Sequence, residues 1–176
     1  MKKEQYEKSI WWIKKDIRLK DNIPLISAIE KSNEILPIYI FEPSLISHPQ
    51  TSNFHLQAQI QALRSLNQKI KQQNSRIIIV KGEIPKIFEN LKQKIKFQAI
   101  FSYQETGAKI TYDRDKRFRR WCKTNKIDWV EKPKNGIIRG DYERGNRMNY
   151  WNRRIKNKKP QNKPSKKLIK EKFIAT

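Results

Sequence analysis

Five short apolar runs, rich in β-branched and aromatic residues, alternate along this chain with stretches whose apolar residues recur every three or four positions. The runs are Ser9–Ile13, Ile35–Phe41, Arg76–Val80, Gln98–Tyr103 and Ile127–Val130, and each reads as a strand. Between them lie periodic stretches near Pro24–Lys31, His55–Gln72, Ile84–Lys94 and Thr111–Thr124. The second carries Leu56, Ile60, Leu63, Leu66 and Ile70 at helical spacing. Strand runs apolar enough to be covered on both faces, with a helix after each of the first four, predict a parallel sheet with right-handed crossovers and helices on both sides. The expected fold is therefore a doubly wound, five-stranded parallel α/β domain, and its ligand site belongs outside the carboxyl ends of the strands.

Composition sets the limits of that domain. The chain has 176 residues, one domain's worth, and only 36% of them are hydrophobic, below the 45–50% or so of an average globular chain. Lys and Arg number 40 against 17 Asp and Glu, a formal charge of +23. From Arg153 to Lys172 there are ten basic residues and one acid, so this segment alone carries +9. Such a stretch, with two prolines and few large apolar side chains, cannot bury enough surface to offset its ordering entropy. The expected division is an α/β domain over 1–152, linker-like from about 139, followed by a basic, mobile tail over 153–176. That tail is either a solvated lysine-rich extension or a phosphate-contacting arm. A single cysteine, Cys122, forms no internal disulfide, and no apolar run approaches the roughly 20 residues of a membrane span. The amino terminus lacks the apolar stretch and cleavage site of a signal peptide. The expectation is a cytoplasmic protein with no membrane partner.

Two strand ends carry candidate chemistry. After the first comes KKDIRLKDN, without glycine, which excludes a GxGxxG dinucleotide turn; no GxxxxGK[ST] phosphate loop occurs elsewhere. Asp16 and Arg18 either orient a polar ligand here or pair with each other to close the loop, and Asn22 or Asp21 caps a helix with Pro24 in its first turn. After the fourth strand, Glu105, Thr106 and Gly107 form either a ligand-accepting mouth or a capped turn. His48 and His55 have no ligand partners at metal spacing, Cys122 reads as a packed small hydrophobe, and no GxSxG elbow appears. Trp11, Trp12 and Trp129 fall on strands and read as core.

The blocks WWIKKDIRLKDNIPLISAI, ILPIYIFEPSLI, FHLQAQIQALRSLNQKI, RIIIVKGEIPKIF, YQETGAKITYDRDKRFRRWC and IDWVEKPKNGIIRG, with a trailing Trp151, resemble in order and spacing the amino-terminal domain of the DNA photolyase and cryptochrome family. The resemblance covers about Ile10 to Ile155. It implies strand order 3-2-1-4-5, with the first and fourth strands adjacent, so that Asp16 and Arg18 come opposite Glu105 and Gly107. In several relatives this cleft holds an antenna chromophore, a deazaflavin, a flavin (FMN or FAD) or a lumazine, and in others a folate lies between the domains. Carried over by position, the implied contacts are Asp16, Arg18, Phe41, Glu42, Glu105, Thr106 and Gly107. The family's helical carboxyl-terminal domain holds the catalytic FAD, and the chain stops before it. What the resemblance implies is thus the antenna-binding part of a truncated or split deoxyribodipyrimidine photolyase in light-dependent DNA repair, not catalytic alone, with no catalytic FAD of its own. A separate FAD-binding photolyase chain is the implied partner, and DNA is a nonspecific one through the basic surface and tail. The alternatives are a stand-alone flavin- or nucleotide-binding module and a nonspecific basic nucleic-acid binder. Departures from the family pattern are Lys15, where Arg or Gln is usual; Asn53 and Phe54, where a small residue and Arg are common; and Arg144–Arg147, where an expected tryptophan is missing.

Overall fold

The structure is a computed structural model that describes residues 6–134, 148, 149 and 152. Five strands, β1 (Tyr6–Ile13), β2 (Ser32–Phe41), β3 (Ile78–Lys81), β4 (Ala99–Tyr103) and β5 (Asp128–Lys132), form one sheet in the order β3-β2-β1-β4-β5. Every pairing is parallel. Five helices connect them: α1 (Ile23–Lys31), α2 (Pro43–Ile46), α3 (Asn53–Lys71), α4 (Lys86–Lys94) and α5 (Lys109–Thr124). The class is the one the strand and helix periods predict, and the strand order is the one the family resemblance implies.

The alternation of side chains along each strand builds two cores. Trp11 and Ile13 of β1, Ile35 and Tyr39 of β2 and Phe101 of β4 point to one face, which α1 and α3 cover with Leu25, Ala28, Leu63, Leu66 and Ile70. Ile10 and Trp12, Leu36, Ile38 and Ile40, and Ile100 point to the other, covered by Phe88 of α4 and by Phe118 and Cys122 of α5. Trp12 packs edge-on against both Phe88 and Phe118, each with ring centroids 5.3 Å away. Asn22 caps α1: its Oδ1 accepts from the Leu25 amide at 3.1 Å, and Pro24 sits in the first turn, where no amide is needed.

Differences from the predicted boundaries have local causes. β1 begins at Tyr6 because polar residues extend the pairing, Tyr6 with Ser32 and Lys8 with Glu34, and an apolar criterion misses them. β3 starts two residues late because the Ile77 amide donates to Asn67 Oδ1 of α3 rather than to the sheet. The one-turn helix α2 is too short to show in the periodicity; Pro43 opens it, and Glu83 accepts from the amide and hydroxyl of Ser44 at 2.7 and 2.8 Å. Asn135 to Arg147, Trp151 and the proposed boundary between 1–152 and 153–176 lie outside the described residues. Among those described, no helix is long and apolar enough to cross a membrane.

Candidate functional site

The order β2-β1-β4 makes β1 the strand from which crossovers leave in both directions, so the loops after β1 and β4 part and leave a crevice at their carboxyl ends. A cavity of about 370 Å³ lies there, within the roughly 300–1,000 Å³ usual for small-molecule sites. Its floor is Ile13, Lys14 and Lys15 after β1 and Tyr39 to Glu42 at the end of β2; Leu45, Ile46, Leu56 and Gln59 close one side. Glu105 and Gly107, with Ile110, Thr111 and Arg114 of α5, close the other.

One wall is aromatic. Tyr39 and Phe41, two apart on β2 and therefore on one face, pack edge to face with centroids 4.8 Å apart. The Tyr39 hydroxyl donates to Gln59 Oε1 at 3.0 Å, which fixes the ring, and burial pushes its phenol up to about 12.

The opposite wall is ionic. Arg114, buried two turns into α5, donates through Nη1 to Glu42 Oε1 and through Nε and Nη2 to Asp115 Oδ1 at 3.0 and 2.8 Å. Burial works against the Arg114 cation, but Glu42 and then Asp115 outweigh it and hold it protonated. Burial likewise pushes the Glu42 carboxyl up, opposed by Arg114. Lys14 is buried beside this pair, its ammonium 4.2 Å from the Trp12 ring centroid and 3.9 Å from Asp115 Oδ1, with no hydrogen-bond partner among the described residues. Burial pulls it down to about 8, with Asp115 opposing. At the mouth, Lys15 Nζ lies 3.7 Å from Glu105 Oε2; the ammonium is half in solvent and the carboxylate is nearly enclosed. A Cβ on Gly107 would lie 3.4 Å from that same Lys15 Nζ, which places this backbone against the rim.

Of the residues singled out from sequence, the fold brings Phe41, Glu42, Glu105 and Gly107 to the cavity. Asp16, Arg18 and Thr106 are not among its lining. Asp16 turns toward the far edge, where Lys134 beyond β5 pairs with its Oδ2 at 3.1 Å, and Arg18 reaches Asp21 at 3.6 Å and Asp16 at 3.9 Å. The physical reason is the loop's own closure. Asn22 Nδ2 donates to the Arg18 carbonyl at 3.0 Å, and the Tyr103 hydroxyl accepts from the Ile23 amide at 3.0 Å, which folds the turn back over β4. Lys15, not Asp16, therefore faces Glu105 and Gly107. Thr106 is exposed on the turn. Sequence reasoning missed Lys14, Lys15, Tyr39 and Arg114, which also line the cavity. Tyr39 was within reach of it, two residues before Phe41 on the same strand; Arg114 was not, because only the docking of α5 brings it to Glu42. Among the described residues no group of His, Cys, Asp and Glu forms a metal site, and Cys122 is buried.

A family model described as DNA photolyase matches residues 9–142. The deoxyribodipyrimidine photo-lyase of Synechococcus sp. is 24% identical over 107 residues, covering 61% of this chain and 22% of that protein. The chloroplastic/mitochondrial cryptochrome DASH of Solanum lycopersicum is 28% identical over 104 residues, 56% of this chain and 18% of its own. Among solved structures, an archaeal photolyase from Sulfolobus tokodaii, described as holding two FAD molecules and implying a novel light-harvesting cofactor, superposes with a TM-score of 0.76 at 22% identity. It covers 94% of this chain and 39% of its own. A bacterial class III photolyase from Agrobacterium tumefaciens gives a TM-score of 0.68 at 17% identity, covering 81% and 29%. The chain thus spans well under half the length of each of these relatives.

Proposed function

We propose that this chain, which belongs to the DNA photolyase family, acts as an antenna-binding α/β domain in light-driven DNA repair. Its ligand is a planar chromophore of the deazaflavin, flavin, lumazine or folate class, held in the crevice after β1, β2 and β4. The observation that carries this reading is the pairing of an aromatic wall, Tyr39 against Phe41, with an ion-paired wall, Arg114 against Glu42, across a cavity of about 370 Å³. A flat ring system with polar edges needs both: apolar faces to stack on and a few fixed polar groups to set its orientation. The archaeal relative described as holding two FAD molecules, with the implication of a novel light-harvesting cofactor, supports the choice of ligand class.

Such a chromophore supplies light absorption and transfer of excitation to a catalytic flavin. The chain's own residues bind and orient. Leu45, Ile46 and Leu56 keep water from the ring face, Glu105 accepts hydrogen bonds at the mouth, and Lys15 offers a half-solvated cation to an anionic substituent. Asp16 and Arg18 are positioning residues in this reading, holding the turn that presents Lys15. In the same proposal the catalytic FAD comes from a separate FAD-binding photolyase chain docked over the mouth of the crevice.

The test is absorption and fluorescence of the purified protein with each of FMN, FAD, deazaflavin, lumazine and folate. At least one is expected to bind, Phe41→Ala and Glu105→Ala are expected to weaken it tenfold or more, and Thr106→Ala to leave it unchanged. Absence of binding to every chromophore, or binding indifferent to Phe41 and Glu105, would overturn the assignment.

A further inference from the structure

The charge of this chain is not spread evenly over its fold. The layer of α4 and α5 carries ten Lys or Arg and three acids, whereas the layer of α1, α2 and α3 carries four and one. Most of the excess sits on α5. Its inner face is Thr111, Arg114, Asp115, Phe118 and Cys122, at three- and four-residue spacing. Its outer face is consequently Lys109, Lys116, Arg117, Arg120 and Lys123, all exposed, with Asp113 as the one acid among them.

These five cations make no ion pair among the described residues. Lys116 instead lies over the ring of Tyr112, 4.4 Å from its centroid, and Tyr112 is itself 47% exposed. Arg119 differs, being paired with Glu131. Lys116 and Arg120, Arg117 and Arg120, and Arg120 and Lys123 are helical neighbours of like charge, an arrangement that weakens a helix. A face selected only to be wet would interleave signs. Asp113, at three- or four-residue spacing from Lys109, Lys116 and Arg117, offsets one of the five charges and leaves the face at +4, an excess centred on Arg120 and Lys123 that a polyanion would neutralise.

We infer that the outer face of α5 is a phosphate-binding stripe that lies along the backbone of duplex DNA. From Lys109 to Lys123 the stripe runs about 21 Å at about 1.5 Å per residue, and duplex DNA presents a charge roughly every 1.7 Å of axis, about a dozen over that length. The geometry favours a linear polyanion over the other candidates. A membrane surface calls for apolar side chains beside the cations, and a protein partner calls for an apolar centre; Tyr112 is the one exposed large hydrophobe of α5. The crevice takes Ile110, Thr111 and Arg114 of this helix and the stripe takes none of these, so both can be occupied together. The inference deepens the DNA-repair part of the proposed function and stands whether or not the crevice takes a chromophore.

The experiment is a fluorescence-anisotropy titration of a labelled duplex with the full chain at salt concentrations from about 50 to 200 mM. Three forms are compared: the unaltered chain, a quadruple variant with Lys116→Gln, Arg117→Gln, Arg120→Gln and Lys123→Gln, and a tail variant with Lys163→Gln, Lys166→Gln, Lys167→Gln and Lys170→Gln. The α5 variant is expected to lose at least tenfold in affinity at the lowest salt, and its plot of log K against log salt to flatten by roughly 2 to 4, near 0.9 for each phosphate left unneutralised. Lys116→Arg with Lys123→Arg keeps the charge and is expected to keep the slope; circular dichroism melts report that each variant is folded. An α5 variant that binds like the unaltered chain, a loss confined to the tail variant, or a chain that binds anionic lipid vesicles but no duplex would each overturn the inference. Chromophore absorbance, read on the same samples, separates its failure from failure of the crevice assignment.

Discussion

Lys14 is the residue whose replacement should most clearly strengthen this fold. Its ammonium is enclosed between Trp12 and Asp115 and makes no hydrogen bond among the described residues. A lysine pulled from its ordinary 10.5 to about 8 by burial costs the native state about 3 kcal/mol at any pH below both values. The cation–π attraction of Trp12 offsets about 1 kcal/mol of that. Lys14→Met fills similar volume without charge and should therefore stabilise the protein by about 2 kcal/mol at pH 7, or roughly 4–8 °C in melting temperature for a chain of this size.

The pH dependence identifies the cause. Between about 8 and 10.5 the unfolded chain holds the Lys14 proton and the folded chain has released it, so stability rises with pH across that window. The advantage of Lys14→Met should shrink to about half by roughly pH 8.7 and be nearly gone by roughly pH 9.5. Tyr39 and Cys122 act in the opposite sense, because burial raises both to about 12 and the unfolded chain loses their protons first. They are present in both proteins and cancel in the comparison. Urea unfolding of the two proteins at these pH values is the assay. A variant less stable than the unaltered chain at pH 7, or a margin that does not narrow with pH, would refute the view of Lys14 as a desolvated cation.

Three further outcomes follow from the same geometry. Arg114→Met leaves Glu42 and Asp115 buried without their guanidinium and should cost about 3–5 kcal/mol in urea unfolding; adding Glu42→Gln should recover part of the loss, and a strictly additive pair would contradict the coupling. Asn22→Ala removes both the cap on the Leu25 amide and the clasp on the Arg18 carbonyl, for a loss of about 2 kcal/mol in the same assay. Tyr39→Phe should cost about 1 kcal/mol at neutral pH through the lost bond to Gln59. Because the raised phenol makes the unaltered protein lose stability between about 10 and 12, the two unfolding curves should converge or cross in alkali.

Alternating strand and helix periods in one sequence are enough to settle that the sheet is parallel and covered on both faces, while its strand order followed from the family resemblance. Parallel strands must be apolar on both faces, so Ile10 to Ile13, Ile35 to Ile40 and Ala99 to Phe101 announce themselves whatever surrounds them. The capped start of α1 was equally legible, because Asn22 and Pro24 act on their nearest neighbours. Glu105 and Gly107 were legible too, as residues just after a strand, whereas Phe41, Glu42 and the joining of two strand ends into one crevice came from the family resemblance; all four line the cavity.

What sequence alone left undecided depends on contacts between residues far apart in the chain. Whether Asp16 faces the cavity turns on Lys134 and Tyr103, more than 80 residues away, and they draw it to the far edge. Arg114 comes to line the cavity only when α5 docks and meets Glu42, 72 positions earlier. The charge of +23 was visible from composition, but that five of its cations share one exposed helix face required knowing which residues of α5 the sheet buries. Periodicity is a local property and survives in one dimension; the direction of a charged side chain is set by its partners' positions, and those exist only in the folded chain.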